Sequence, residues 1–403
     1  MAKMKHASKR LQREEKRIVK FNFYIPPEVC ENILVRVDAK NLCRFKCVCH
    51  GWYDLISSSR FTKKQFELLK PDPERNPDRI FMIYPHATID MNACIGSQKY
   101  NEGSNLMNKK VRYPKPSSFG SLRIMGSCDG LVSLMSEYNK NKVILMWNPS
   151  TKDLLTLDVP ESESVGYGHE FYWFGHNDCS SNNGSYKLVL CLRTTLYNPI
   201  YTIYVLNSNS NSNSNSNSSR SLYHWTRTAE LQLISQMPYG RRLHGCRGTL
   251  LNGIVHWPSY CEVTAYHLSE ATVRRIAVPS INHGDGHGWD QCFTLGVFDG
   301  CLGAICKPPE NKFEIWIMKE YGVGESWTKY AQVEWFTKSK CLRPLGFLKN
   351  GEIMVDIDGR TLVRYSNNWK TGKVVISHSH RSNDSDAITY VPSFISPKEI
   401  EFK

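Results

Sequence analysis

Four times in this chain an Asn-Gly or Asp-Gly pair is followed by alternating apolar residues. The four are Cys128-Asp-Gly-Leu-Val-Ser-Leu, Leu251-Asn-Gly-Ile-Val-His-Trp, Phe298-Asp-Gly-Cys-Leu-Gly-Ala-Ile and Lys349-Asn-Gly-Glu-Ile-Met-Val. Such pairs accept the positive φ of a tight hairpin, and period-two alternation marks a half-buried strand, so each reads as turn then strand. A further strand follows each glycine, at Ile144 to Trp147, Val263 to Tyr266, Phe313 to Met318 and Thr361 to Tyr365. Gly253, Gly300 and Gly351 lie 47 and 51 residues apart, while Gly130 to Gly253 is 123, room for two units and an insertion. A period near this length with several strands per unit is the signature of a β-propeller, at about 40–50 residues per blade. The roughly 315 residues after position 79 then give about six blades. A sandwich or a solenoid is the weaker alternative.

The insertion can be located. Ile203-Tyr-Val-Leu leads to Trp225-Thr-Arg, and Ile315-Trp-Ile-Met leads to Trp327-Thr-Lys. The first interval is longer by ten residues, close to the length of the Asn-Ser tract that begins at Asn207. Residues 207–219 therefore read as a disordered loop between two strands of one unit, with no apolar side chain to bury.

Residues 25–61 have a different pattern. Pro26 and Pro27 stand where a helix begins, with Glu28 in its first turn. Val29, Ile33 and Val37 repeat at i, i+4, i+8; Asp38 can cap a second helix carrying Leu42 and Phe45; Val48, Trp52, Leu55 and Ile56 form a third stripe. Three short helices cannot bury all those apolar faces among themselves, so this module is short of a partner. Three prolines and six charges in residues 70–79 mark a linker. The expected organisation is a basic disordered tail (1–20), a three-helix module (21–66), a Pro-rich linker (67–79) and a β-repeat domain (80–395): an α+β multidomain chain.

Charge and cysteine usage narrow the function. The net charge of +13 looks like a nucleic-acid signal until it is mapped: residues 1–20 hold eight Lys or Arg against two Glu, so +6 belongs to the tail. Lys9, Arg10, Arg13, Lys16 and Arg17 read either as a nuclear localisation signal or as a solvated leader. The fourteen cysteines contain no C-x-x-C pair, and most sit in apolar runs, as Cys191 does. Without an apolar leader they read as reduced thiols of an intracellular protein, in the nucleus, the cytoplasm or both. No run of eighteen apolar residues is present, so no spanning helix is expected.

Enzyme signatures are mostly absent: there is no G-x-S-x-G, P-loop or H-E-x-x-H. His283, Asp285, His287 and Asp290 in a glycine-rich stretch fit no established metal spacing and read as a polar loop. Cys43, Cys47, Cys49 and His50 interleave with Leu42, Phe45, Val48 and Trp52, which marks packing surface. Asp356 and Asp358 share one strand face, read as the solvent-facing one. No metal, cofactor or catalytic residue is expected.

Residues 25–61 resemble an F-box. The family pattern Leu-Pro-x-Glu-Val, Ile-Leu-x-Arg-Leu-Pro-x-Lys-Ser-Leu-x-Arg-Phe-Lys-Cys-Val-Cys-Lys-x-Trp and Leu-Ile-x-x-Pro-x-Phe is matched at Pro26, Glu28, Val29, Ile33, Leu34, Arg36, Lys40, Leu42, Arg44, Phe45, Cys47, Val48, Cys49, Trp52, Leu55, Ile56 and Phe61. The departures are Ile25 for Leu, Asp38 for Pro, His50 for Lys and Ser59 for Pro. The remainder is similar to the plant F-box-associated, kelch-like domain, in Ser127-Cys-Asp-Gly-Leu-Val, Trp147-Asn-Pro-Ser-Thr-Lys, Ser185-Tyr-Lys-Leu-Val and Phe347-Leu-Lys-Asn-Gly-Glu-Ile. The resemblance implies a non-catalytic substrate receptor of a Skp–cullin–F-box ubiquitin ligase. Its F-box would bind a Skp-family adaptor, and through it cullin and RING subunits, while the β domain holds an unknown protein substrate. Candidate adaptor contacts are Pro26, Val29, Ile33, Leu34, Leu42, Val48 and Trp52, with Leu34 and Leu42 favoured because they lie off the stripes. The alternatives are a propeller enzyme or a basic nucleic-acid-associated protein.

Overall fold

The structure, a computed structural model, describes residues 25–69, 79–83, 87–90, 107–110, 121–138, 141–160, 170–176, 185–193, 200–208, 222–232, 247–259, 262–278, 293–306, 312–334, 342–348, 350–366, 368–370, 372–377 and 386–402. The chain divides after Leu69 into two units. In the first, α1 (Pro27–Leu34) starts at a proline whose missing N–H costs nothing in the first turn. α2 (Ala39–Phe45) is capped by Asp38, which accepts from the Asn41 amide at 3.0 Å, so the residue standing where the family has Pro fixes this turn. α3 (His50–Ser57) follows, and then a fourth helix that the stripes did not announce, α4 (Ser59–Leu69).

That extra helix supplies the missing cover. The Ser58 hydroxyl accepts from the Phe61 amide at 3.2 Å, and Gln65 Nε2 donates to the Val37 carbonyl at 2.9 Å. Lys64 reaches back to Glu31 at 3.0 Å and holds its carboxyl below the usual value, chiefly through that hydrogen bond. Phe61 is buried with Leu34, Val35, Ala39, Leu42 and Ile56. The core therefore lies on the side of α1 and α2 that faces away from the Val29–Ile33 stripe.

The second unit is a six-bladed propeller of four-stranded antiparallel sheets, as the repeat spacing predicts. β1 (Arg79–Met82), β2 (Ala87–Asp90) and β3 (Met107–Lys110) belong to the first blade. Blade two is β4 (Ser121–Cys128), β5 (Leu131–Tyr138), β6 (Asn141–Trp147) and β7 (Leu154–Asp158). Blade three is β8 (Glu170–His176), β9 (Tyr186–Arg193), β10 (Ile200–Ser208) and β11 (Tyr223–Gln232). Blade four is β12 (Thr249–Leu251), β13 (Ile254–Pro258), β14 (Glu262–His267) and β15 (Val273–Ala277); blade five is β16 (Thr294–Phe298), β17 (Cys301–Cys306), β18 (Lys312–Met318) and β19 (Trp327–Glu334). Blade six is β20 (Leu342–Phe347), β21 (Ile353–Ile357), β22 (Thr361–Tyr365) and β23 (Gly372–Ser377). The final strand, β24 (Ala387–Tyr390), returns to blade one and pairs with β1, so the two ends of the unit close the ring in one sheet. The strands β24, β4, β8, β12, β16 and β20 touch in that cyclic order and line the centre.

Asp129 and Gly130, Asn252 and Gly253, and Asp299 and Gly300 all take positive φ, the backbone of a two-residue type I′ hairpin. At the fourth pair only Gly351 does so, in a longer turn closed by Leu348 and Glu352 at 2.7 Å. The Trp-Thr repeat is also real in space. Leu206 pairs with Trp225 and Met318 with Trp327, with a bulge after Ile203 and after Ile315 at the matching place. Both indoles donate to the last residue of the preceding blade's outer strand, Trp225 to Asp158 O at 2.7 Å and Trp327 to Ala277 O at 3.0 Å. Trp327→Phe should cost about 1 kcal/mol, the net worth of that bond, and Trp327→Ala about 3–5 kcal/mol, read as melting temperature. A Trp327→Phe protein that melts with the wild type would mean that the bond carries nothing beyond the ring.

Two sequence expectations need correction here. Asn207 and Ser208 belong to β10 rather than to the loop, because Ser208 is held by the chain terminus: its amide donates to Phe402 O at 2.9 Å and its hydroxyl accepts from Phe402 N at 2.8 Å. The terminal segment gets there by passing Asn148, whose Nδ2 donates to Ser393 O at 3.1 Å and Ile395 O at 2.8 Å. Residues 209–221 lie outside the described residues.

The second correction concerns Asp356, which is buried, whereas Asp358 sits in a positive-φ turn. Asp356 is paired in register with Arg343, whose Nη1 is 3.7 Å from its Oδ2. Arg343 also bonds Asp386, and Arg247 Nη2 lies 2.9 Å from both Asp386 oxygens. Arg247 precedes β12 and Asp386 precedes β24, on opposite sides of the ring, so this pair crosses the channel where the inner strands begin. Burial pushes Asp356 up to about 7 against the pull of Arg343. A raised native value means that the unfolded chain binds fewer protons between pH 4 and 7, so this contribution to stability is lost as pH rises through 7. Asp356→Asn should remove that slope from the melting temperature; an unchanged slope would exclude Asp356 as its source.

Candidate functional site

The helical unit exposes what a solitary domain would hide. Val29 and Ile33, one turn apart on α1, are 45% and 55% exposed, and Val48 after α2 is 60% exposed. Ile25 and Tyr53 are exposed beside them in the sequence, and Lys46 Nζ lies 5.9 Å from the centre of the Tyr53 ring. Single exposed apolar residues are ordinary; five of them fall here between Ile25 and Tyr53, which makes them a candidate interaction surface. Pro26 is also exposed; Trp52 is half-buried, its ring 5.6 Å from Phe45.

Leu34 and Leu42 are the correction. They are 1% and 0% exposed, packed in the four-helix core, and cannot reach a partner without unfolding it. Sequence reasoning counted three helices, so it treated part of each stripe as core; with α4 present, the off-stripe leucines are core and the stripe points outward. Ile25 and Tyr53 were missed, although Ile25 occupies the first position of the matched motif. Cys43 is in α2, Cys47 in the turn after it and Cys49 at the N-cap of α3. The basic residues Lys9, Arg10, Arg13, Lys16 and Arg17 and the stretch from His283 to Cys292 lie outside the described residues.

Comparison with known families agrees with this division. The F-box domain model matches residues 24–64, and the F-box associated beta propeller domain model matches residues 81–397. The chain belongs to the F-box-associated propeller family. This F-box protein is similar to the F-box/kelch-repeat protein At3g23880 of Arabidopsis thaliana, at 25% identity over 93% of this chain and 96% of the relative. It is 23% identical to the F-box protein CPR1 of the same plant, over 84% of this chain and 81% of that one. Among solved structures, TolB from Acinetobacter baumannii aligns with 82% of this F-box protein and 72% of its own length, at a TM-score of 0.41 and 12% identity. No helix among the described residues is long and apolar enough to cross a membrane.

Proposed function

We propose that this F-box protein is the substrate-recognition subunit of a Skp–cullin–F-box ubiquitin ligase. The reading is carried by the exposed apolar side chains Val29, Ile33 and Val48 on a unit that matches the F-box model. That surface docks a Skp-family adaptor, which brings the cullin and RING subunits, and the propeller holds a protein substrate. The chain itself is non-catalytic. Its contribution is proximity: tethering a substrate lysine near a charged conjugating enzyme raises their effective concentration to about the millimolar range. The experiment is co-expression with a Skp-family adaptor and purification by a tag on either chain. A stable one-to-one complex is expected, and failure of the folded protein to capture any adaptor would refute the proposal.

The basic leader is proposed to act on location, in a protein of the nucleus, the cytoplasm or both. Its eight basic residues carry few apolar anchors for packing. Removing residues 1–20 should lower the nuclear fraction of a fluorescent fusion and leave adaptor capture intact. An unchanged nuclear fraction would assign the leader no role in import.

A further inference from the structure

The type I′ turn that joins β4 to β5 carries a second chemistry. Asp129 takes a φ of 51° and Gly130 one of 83°, and a Cβ on Gly130 would lie 2.2 Å from the Ser393 hydroxyl, so the turn is pinned against the terminal segment. Ser393 Oγ donates to the Asp129 carbonyl from that segment. The carboxylate of Asp129 bonds Nε2 of His176, the last residue of β8 in the next blade, and accepts from the Tyr186 hydroxyl at 2.8 Å. Cys128 ends β4 immediately before the turn. One ligand atom each from Cys128, Asp129 and His176 lies within 4.8 Å of the others. The imidazole Nδ1 is buried with no hydrogen-bond partner among the described residues, so the ring's polar anchor is the contact with Asp129.

We propose that Cys128, Asp129 and His176 bind a zinc ion between blades two and three. The donor set selects the metal. A thiolate excludes calcium and magnesium, which take oxygen ligands, while sulfur, nitrogen and oxygen together suit zinc. One thiolate and one carboxylate cancel the ion's two charges, which lowers the cost of holding it in a half-buried seam. Zinc enters between Asp129 and His176 in place of their hydrogen bond: the Nε2 proton passes to Nδ1 of the same neutral ring, which frees Nε2 to coordinate, and the thiol proton of Cys128 leaves to solvent. Tyr186 remains as the donor that orients the carboxylate, the outer contact such sites need. The side chains of His176 and Asp129 keep 21% and 13% exposure, so a water completes the tetrahedron. The bound ion would add a coordinate link between two blades already joined by the Tyr186–Asp129 and Trp225–Asp158 hydrogen bonds. The site escapes a sequence search because His176 is 47 residues from Asp129 and only the propeller closure brings them together.

The test uses the full chain stripped by a chelator. Cobalt titration is expected to give one equivalent of binding, with a thiolate-to-cobalt charge-transfer band and tetrahedral d–d absorption that zinc bleaches. Cys128→Ser should abolish the charge-transfer band, although thirteen other cysteines remain. His176→Gln should weaken zinc binding by about tenfold or more, and zinc should raise the melting temperature of the wild type but of neither variant. If Cys128→Ser does not fold, His176→Gln alone decides. A wild type without the thiolate band, a band that persists in folded Cys128→Ser, or undiminished affinity in folded His176→Gln overturns the site.

Discussion

Val29→Glu with Ile33→Glu is expected to abolish adaptor capture and leave the melting temperature unchanged. Both side chains already stand in water on one side of α1, so the charges meet no core in the free protein. In a complex they would be buried opposite an apolar partner, where an unpaired charge costs several kcal/mol. Two contacts of that kind exceed a typical hot spot, so affinity should fall roughly a hundredfold or more. Leu34→Glu and Leu42→Glu give the contrast. They too should remove adaptor binding, but through loss of the helical unit, because they place a charge among Val35, Ile56 and Phe61. The two outcomes separate in circular dichroism: the stripe variant keeps its helix signal and the core variants lose it. Retained capture by a folded stripe variant would put the adaptor on another surface.

The propeller was legible because its signals are local. An Asp-Gly or Asn-Gly pair dictates its own turn, and the alternation beside it dictates which face is inside, so each blade repeats the same instruction. The Trp225 and Trp327 intervals even fixed the strand register, since the residue ending each apolar run pairs with that tryptophan. What was not legible depends on cover. Whether Ile33 or Leu34 is core depends on α4, whose Lys63, Lys64 and Glu67 mask a face that buries Phe61 and Gln65. Asp356 reads as an exposed strand residue by alternation, yet its burial follows from Arg343 beside it and from Asp386, thirty residues further on. The Cys128, Asp129 and His176 group is hidden for the same reason: two blades must close before the three meet.

The charge network across the channel should give the largest effect on the propeller. Asp386 is the carboxylate that both Arg247 and Arg343 engage, and their charges hold it ionised against burial. Replacing it with Ala leaves two guanidinium groups facing each other across the inner strands, with Asp356 at 3.7 Å from Arg343 as the nearby counter-charge. Breaking a buried pair in this way costs about 3–5 kcal/mol, which for a domain of this size lowers the melting temperature on the order of 10 °C. Asp386→Asn keeps the shape and part of the hydrogen bonding, so it should fall between the two. A second readout identifies the mechanism. Asp386 is one of the charges that raise Asp356; without it, the two arginines pull the Asp356 proton off at lower pH. The decline of stability toward pH 7 should therefore flatten in Asp386→Ala, as it does in Asp356→Asn. An Asp386→Ala protein that melts with the wild type and keeps the slope would show that the cross-channel pair bears no part of the fold's stability.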